Sequence, residues 1–433
     1  MKRSLAVALA LLLALGLGVP ALALEEAAYV VTNPYKKVEW SGENQWGAYK
    51  ANLHTHTTFS DGDESLQAMA EEYYAQGYDV IANTDHGVVS KPWDQRPQSV
   101  PILGLYGVFK SQEILTAARA AQMLAGEGGN RGGRPMLQVP KGIELQAATV
   151  YKSHIVGLYG GWGQNYIGLS TDFRASIAGT DKSGGVTIIA HPGDWIKSEK
   201  NPDAARDPAN VNFFADIFRD YDSCLGLEAY NGSDGPTRYD RVLWDELLMR
   251  LMPEGRPVWG FANDDSHNTG DIGRTAEILF MPANTVGNVR TCIETGAFLA
   301  CSRRDRVLEI DGDRSVPFPG LTNIAVTDNN TKITITPDSN TTRIEWIADG
   351  KKLDQTGPTV DLADKGIKSY VRAQLIGPGG ITTTQPFGVV KDADYRHEDD
   401  ALQGWARISW TINLYLTKNV FGWLVENIAK LFN

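Results

Sequence analysis

From about residue 48 to 305 the chain alternates short apolar runs with longer amphipathic stretches. The runs at 49–53, 79–82, 141–145, 154–159, 186–190, 225–230 and 258–262 have the length of strands. They lack a polar face, as strands covered on both sides do. Between the first two, Leu66, Met69, Ala70 and Tyr73 fall on one face of a helix predicted over 64–76, and Gly77 supplies its stop. A second helix is predicted over about 107–124, running into a glycine-rich loop from Gly126 to Gly133. Seven strands alternating with helices predict an α/β unit, with a barrel as its natural closure.

After about residue 306 the period shortens. Strand-like runs at 332–336, 342–346, 359–362, 370–375 and 382–390 are separated by turn sequences such as Asp349-Gly350 and Gly377-Pro378-Gly379-Gly380. A small antiparallel β-sandwich is predicted over 306–392, and it contains no His or Cys. The last stretch, 393–433, is a linker followed by an amphipathic helix. Leu402, Trp405, Ile412, Leu416, Val420, Trp423, Leu424, Ile428 and Leu431 recur there at spacings of three and four. Lys418 and Glu426 interrupt the stripe, which fits a helix docked on the body, on a membrane surface or on a partner protein better than a spanning one.

The N-terminus changes the compartment. Lys2 and Arg3 precede an apolar run from Leu5 to Val19, and Ala21-Leu22-Ala23 has the small-x-small pattern of a cleavage site. Residues 1–23 are therefore predicted to be a cleaved signal peptide, with 24–47 leading into the first domain and the mature protein periplasmic or extracellular. The 52 acidic against 41 basic side chains give a net charge of −11. With no basic stripe, a nucleic-acid partner is not expected. Of the three cysteines, Cys224 precedes an apolar run and reads as a buried small hydrophobe, whereas Cys292 and Cys301 could pair. No CxxC occurs, so a thiolate metal site has no support.

The seven histidines carry the chemistry. His54 and His56 close the first strand at i and i+2, so both imidazoles face one way. Asp61 follows in the next loop, Asp85-His86 end the second strand, and Glu144 ends the third. His154 opens the fourth strand, His191 ends the fifth, and Asp265 and His267 follow the seventh. Loops at one end of a parallel α/β array bring such positions together, and imidazole with carboxylate is the ligand set of Zn, Mn or Fe. His397 lies in a charged segment outside this pattern.

The ordered set Asn52-Leu53-His54-Thr55-His56-Thr57-Thr58-Phe59-Ser60-Asp61-Gly62, Asn83-Thr84-Asp85-His86, Gly142-Ile143-Glu144, Ala190-His191-Pro192 and Asp265-Ser266-His267 resembles the PHP (polymerase and histidinol phosphatase) metallohydrolases over about 48–305. The resemblance implies a distorted (β/α)7 barrel with two to three divalent ions. His54, His56, Glu144 and Asp265 would hold the first, Glu144, His154 and His191 the second, and Asp61, His86 and His267 the third. The signal peptide, the trailing β-domain and Leu227-Glu228-Ala229-Tyr230-Asn231-Gly232 resemble the exported, carbaryl-esterase-like branch. The long insertion between His86 and Glu144 departs from the pattern and is expected to shape the substrate pocket.

The leading expectation is a phosphoesterase acting on a small-molecule or polymer-derived ester through a metal-bridging hydroxide, with Asp85 orienting a ligand or carrying a proton. No GxSxG or convincing triad competes with it. The same centre could instead attack a carbonyl ester, amide or carbamate. Arg274 or Lys152 near the site would favour phosphate, and an aromatic wall from Trp93, Tyr106 and Phe109 would favour the carbonyl. A third reading is a metal-dependent binding protein without catalysis.

Overall fold

The computed structural model describes residues 29–98, 110–145, 153–166, 173–392 and 395–397, with 408–409 and 412. The signal peptide, Tyr106, Phe109, Lys152 and all but Ile412 of the C-terminal apolar stripe lie outside the described residues. Ile412 itself is exposed.

Among the described residues, eleven strands build the region up to residue 302: β1 (Val30–Thr32), β2 (Gly47–Asn52), β3 (Val80–Ile81), β4 (Leu137–Gln138), β5 (Ile143–Leu145), β6 (Ile155–Leu158), β7 (Val186–Ile189), β8 (Cys224–Asn231), β9 (Trp259–Asn263), β10 (Thr275–Met281) and β11 (Phe298–Ser302). The seven predicted runs appear as β2, β3 and β5 to β9. The α-helices among the described residues are α1 (Leu66–Ala75), α2 (Ala117–Ala125), α3 (Arg174–Lys182), α4 (Pro192–Ile196), α5 (Pro208–Asp220), α6 (Asp240–Leu251) and α7 (Val286–Thr295). Ser65 caps α1 by accepting from the Ala68 amide, and Leu66, Met69, Ala70 and Tyr73 are buried as the periodicity requires.

Strands β2, β3 and β4 pair in parallel, as do β7, β8 and β9. β6 is the exception, antiparallel to both β5 and β7. Residues 146–154, which join β5 to β6, are too few for the crossover of about a dozen or more that a parallel neighbour needs. The start of β6 therefore lies where β5 and β7 end. The Ala190 amide donates to the His154 carbonyl there at 3.1 Å.

These strands fall into two sheets, one holding β10-β2-β3-β4 and the other β5 to β9. The sheets meet at two single-residue bridges, Thr55 with Ser266 and His86 with Glu144, all beyond or at strand ends. Among the described residues these bridges, rather than a continuous ladder, connect the two halves.

The trailing β-strands divide. Leu321–Thr327, Lys332–Pro337 and Thr359–Asp361 form a separate antiparallel sheet. Gly380–Thr384 instead pairs with β11, and β1 from the lead segment pairs with Phe387–Val390, so the large sheet runs from the α/β half into the C-terminal half. The predicted run 382–390 is broken into two strands at Gln385-Pro386. There the Gln385 side chain bonds both the amide and the carbonyl of Gly260 on β9 at 2.8 Å. Cys292 and Cys301 are buried separate thiols, and Cys224 is buried as expected. Cys292 Sγ faces the Ala297 carbonyl and Cys301 Sγ faces Thr382 Oγ1.

A buried ion pair ties α6 to this half of the molecule. Arg372 donates to Asp245 at 2.9 and 3.0 Å, and the Tyr370 hydroxyl adds a 2.6 Å bond to the same carboxylate. Arg372→Ala would leave that carboxylate short of its cation, so urea unfolding should show a loss of about 3–5 kcal/mol. A loss below about 1 kcal/mol would mean the pair holds nothing together.

Candidate metal centre

The tail of β2 runs on beside the tail of β9. The Leu53 amide donates to Asn263 Oδ1 at 2.7 Å, and the His56 amide donates to the Ser266 carbonyl at 2.9 Å. This extended course turns His54 and His56 to one side. The bridge from His86 to Glu144 brings the ends of β3 and β5 together, with the Glu144 amide donating to the Thr84 carbonyl at 3.0 Å. His154 joins them because β6 is reversed. His191 and Asp265 leave their strands with φ of 29° and 47°, a conformation that side-chain-bearing residues rarely adopt outside over-determined sites.

Glu144 is fully buried, and five imidazoles surround its carboxylate. Oε1 lies 3.0 Å from His154 Nδ1, 3.2 Å from His191 Nε2 and 3.4 Å from His54 Nε2. Oε2 lies 2.9 Å from His86 Nδ1 and 3.2 Å from His56 Nε2. Asp265 Oδ1 is 3.2 Å from His56 Nε2 and 3.3 Å from His54 Nε2. Asp61 lies 3.5 Å from each of His56, His86 and His267. All nine predicted ligand positions thus share one cluster. Its tightest groupings are His54, His56 and Glu144; His86, Glu144 and His154; and His56, Asp61, His86 and His267. His56 and His86 each enter two of them, more than the resemblance implies for either.

The spacing and the proton inventory both suit divalent ions. His54 Nδ1 donates to Glu228 at 2.8 Å, and His56 Nδ1 faces Ser60 Oγ at 3.4 Å. With those protons placed outward, two Nε2 lone pairs confront each other at 3.1 Å. Ligand atoms held at about 2.0–2.2 Å from one ion sit roughly this far apart. Buried Glu144 Oε2, His86 Nδ1, His154 Nε2 and His191 Nδ1 also lack a hydrogen-bond partner among the described residues. The donor set fits Zn, Mn or Fe without selecting among them.

Burial pushes the Glu144 and Asp265 carboxyls up, but the surrounding imidazoles outweigh it and hold both well below the carboxylate range. Burial likewise opposes the charged forms of His54 and His86, yet the carboxylates hold both well above the ordinary imidazole value. For His267, burial is overcome by Asp61 and Asp265, which hold it at about 9. His154 goes the other way, because burial dominates. The carboxylates and imidazoles of the cluster thus favour one another's charged forms, His154 excepted.

Two groups of residues support the ligands. Asp85 accepts from the Thr57 amide at 2.7 Å, from the Thr57 hydroxyl at 2.8 Å and from Ser60 Oγ at 2.7 Å. It fixes the turn between His56 and Asp61, which makes it a positioning residue. Glu228 joins the site without belonging to the predicted ligand set. Its carboxylate accepts from His54 Nδ1, the His191 amide (3.0 Å), Asn231 Nδ2 (2.8 Å) and Asn263 Nδ2 (3.0 Å). A Glu inside the otherwise apolar buried strand β8 was the available signal.

The cluster opens into a cavity of about 350 Å³, whose further lining includes Asp194, Asn231, Pro236 and Thr237. The described part of the 87–135 insertion does not line it. Trp93 is instead core, packed with Phe59 and Tyr73 and donating to Asn83 Oδ1 at 3.1 Å. Arg274 is paired with Asp271 at 2.7 Å and is not part of the lining.

Because metals must displace protons here, affinity should fall as pH drops from about 9 toward 6, with protons released on binding. Titration of metal-free protein at several pH values checks this, and pH-independent affinity would contradict it. Glu228→Gln should weaken metal retention by about 10–100-fold, measured by competition with a chelator. Retention equal to the parent would remove Glu228 from the site.

Residues 52–242 match the family of the PHP domain. A search of curated proteins finds no match. Similar solved structures include a two-domain protein from Bacteroides vulgatus containing a predicted PHP-like metal-dependent phosphoesterase, at 15% identity over 81% of this chain and 97% of that one, TM-score 0.43. The lesion-specific endonuclease EndoQ of Pyrococcus furiosus is similar at 12% identity over 65% and 62% of the two chains, TM-score 0.33. An amidohydrolase from Chromobacterium violaceum is similar at 15% identity over 50% and 87%, TM-score 0.27. The stretch that matches the PHP family model runs from before His54 to past Glu228 and supplies most of the cluster.

Proposed function

We propose that this protein is an exported metal-dependent phosphoesterase that hydrolyses a small or polymer-derived phosphate ester. The observation that carries the reading is the buried Glu144 carboxylate ringed by five imidazoles at the floor of a polar cavity. Divalent ions bound there would supply Lewis acidity and an activated water. The chain's own groups set how a substrate meets them. His54, His56 and Glu144 are closed off from solvent, whereas the side chains of Asp61 and His267 are about one-third exposed, so the ester approaches over that edge. Asn231, oriented by its bond to Glu228, and Thr237, donating to the Asn231 carbonyl at 3.3 Å, stand at the rim.

The described cavity wall has no Trp, Tyr or Phe, and Pro236 is its one apolar member among the described residues. That lining suits a charged phosphoryl group better than an aryl ester or carbamate. Export rests on the pattern of residues 1–23, and a mature N-terminus at residue 24 on protein recovered outside the cytoplasm is its check.

The purified metallated protein should turn over an aryl phosphate or aryl phosphodiester faster than the matching aryl acetate. Chelation or His54→Ala with His56→Ala should bring the rate to that of the uncatalysed control. Turnover of the acetate alone would overturn the phosphoesterase reading, and turnover untouched by chelation would overturn the metal-dependent one.

A further inference from the structure

At the end of β2 and β3 away from the metal centre lies a second cavity of about 510 Å³ with the opposite electrostatic character. Lys50, Arg119, Arg131 and Arg134 line it against Glu71 and Asp79, so four positive charges face two negative ones on a chain of net charge −11. Both acids are already engaged. Glu71 takes the Arg119 fork at 2.7 and 2.8 Å, and Asp79 takes Arg131 at 2.8 Å and Arg134 at 2.6 Å. The donors left over point to a ligand. Nη1 of Arg131 and of Arg134 have no acceptor among the described residues, and Lys50 Nζ has only the Gln76 carbonyl at 3.3 Å and the face of Tyr78. Burial, against the pull of Asp264, brings the Lys50 ammonium down to about 8, as expected of a cation short of a counter-charge.

The glycine-rich loop completes the wall. Gly128 has φ +70°, and a Cβ there would meet Arg119 Nη1 at 2.5 Å; one at Gly129 would lie 3.2 Å from the Tyr74 ring. The left-handed φ of Gly128 and the bare Cα of Gly129 suit this loop to lying on Tyr74, which Arg119 and Arg131 flank at 5.1 and 4.9 Å from the ring centroid. The Tyr74 hydroxyl donates to the Glu127 carbonyl at 2.7 Å and pins the loop's start. The amides of Gly128, Gly129 and Asn130 find no protein acceptor among the described residues. Successive free amides beside guanidinium groups form a concavity suited to an anion.

We infer that this pocket binds a small tetrahedral oxyanion of the phosphate type, held by Lys50, Arg131, Arg134 and the Gly128–Asn130 backbone. It is separate from the metal centre. Lys50 precedes His54 by four residues of extended chain, about 13 Å, and the two cavities share no lining residue.

The test is protection of Lys50 from an amine-acylating reagent in the intact protein, read by peptide mass spectrometry with inorganic phosphate as the probe. Phosphate should slow Lys50 acylation severalfold, whereas sodium chloride at matched ionic strength should not. Methylphosphonate, run in parallel, separates a site for a terminal phosphoryl group, which it would also protect, from one for the free ion, which it would not. Arg134→Gln, at a half-exposed side chain that leaves Asp79 paired with Arg131, should raise the phosphate needed by about tenfold. His54→Ala with His56→Ala should leave the protection intact. Unchanged acylation at tens of millimolar phosphate, equal protection by chloride, or protection that follows the histidines and ignores Arg134 would each overturn the proposal.

Discussion

One buried carboxylate organises the histidine-bearing end of this molecule. Glu144 is withdrawn from water, where an ionised carboxylate is costly unless positive charge surrounds it. Five imidazoles from four strand ends do so, and the contact from His86 to Glu144 is also one of the two backbone bridges between the sheets among the described residues. The same contact therefore joins the halves of the fold and centres the cluster. The electrostatic demand is met by protons or by metal ions, which ties the protonation of the cluster to its occupancy.

The supporting layer makes the cluster specific rather than merely acidic. Glu228 fixes the tautomer of His54 and anchors the His191 amide, Asn263 spaces Glu228 from β2, and Asp85 ties down the turn that presents Asp61. The hydrogen bonds of these groups reach ligand atoms, nearby backbone and one another, so the imidazoles are held before any ion arrives. Pre-placement of this kind is what a multinuclear site needs to favour bound ions over bound protons.

Much of this was legible in the sequence, for identifiable reasons. The seven apolar runs became strands because burial on both faces leaves a continuous hydrophobic signature, and histidines at their ends marked the convergent face. The reversal of β6 was not legible, since apolar runs carry no direction; only the short 146–154 link hinted at it. β10 escaped because Glu277 interrupts it, a carboxyl whose pKa burial pushes well up while it accepts from the Ala262 amide. Trp93 read as a pocket aromatic, but its indole closes the core under α1, since an isolated aromatic in an insertion does not say which side of the chain it covers. The break at Gln385-Pro386 and the pairing of Gly380–Thr384 with β11 were hidden for the opposite reason: long-range partners decide them, not local pattern.

The most direct test of the central claim is anomalous diffraction from crystals of the purified protein, collected across the absorption edges of zinc, manganese and iron. The account predicts at least two anomalous peaks within bonding distance of the Glu144 carboxylate, with His54, His56, His86 and His154 as neighbouring ligands. A well-ordered cluster with no anomalous density at Glu144, in protein never exposed to chelator, would contradict it.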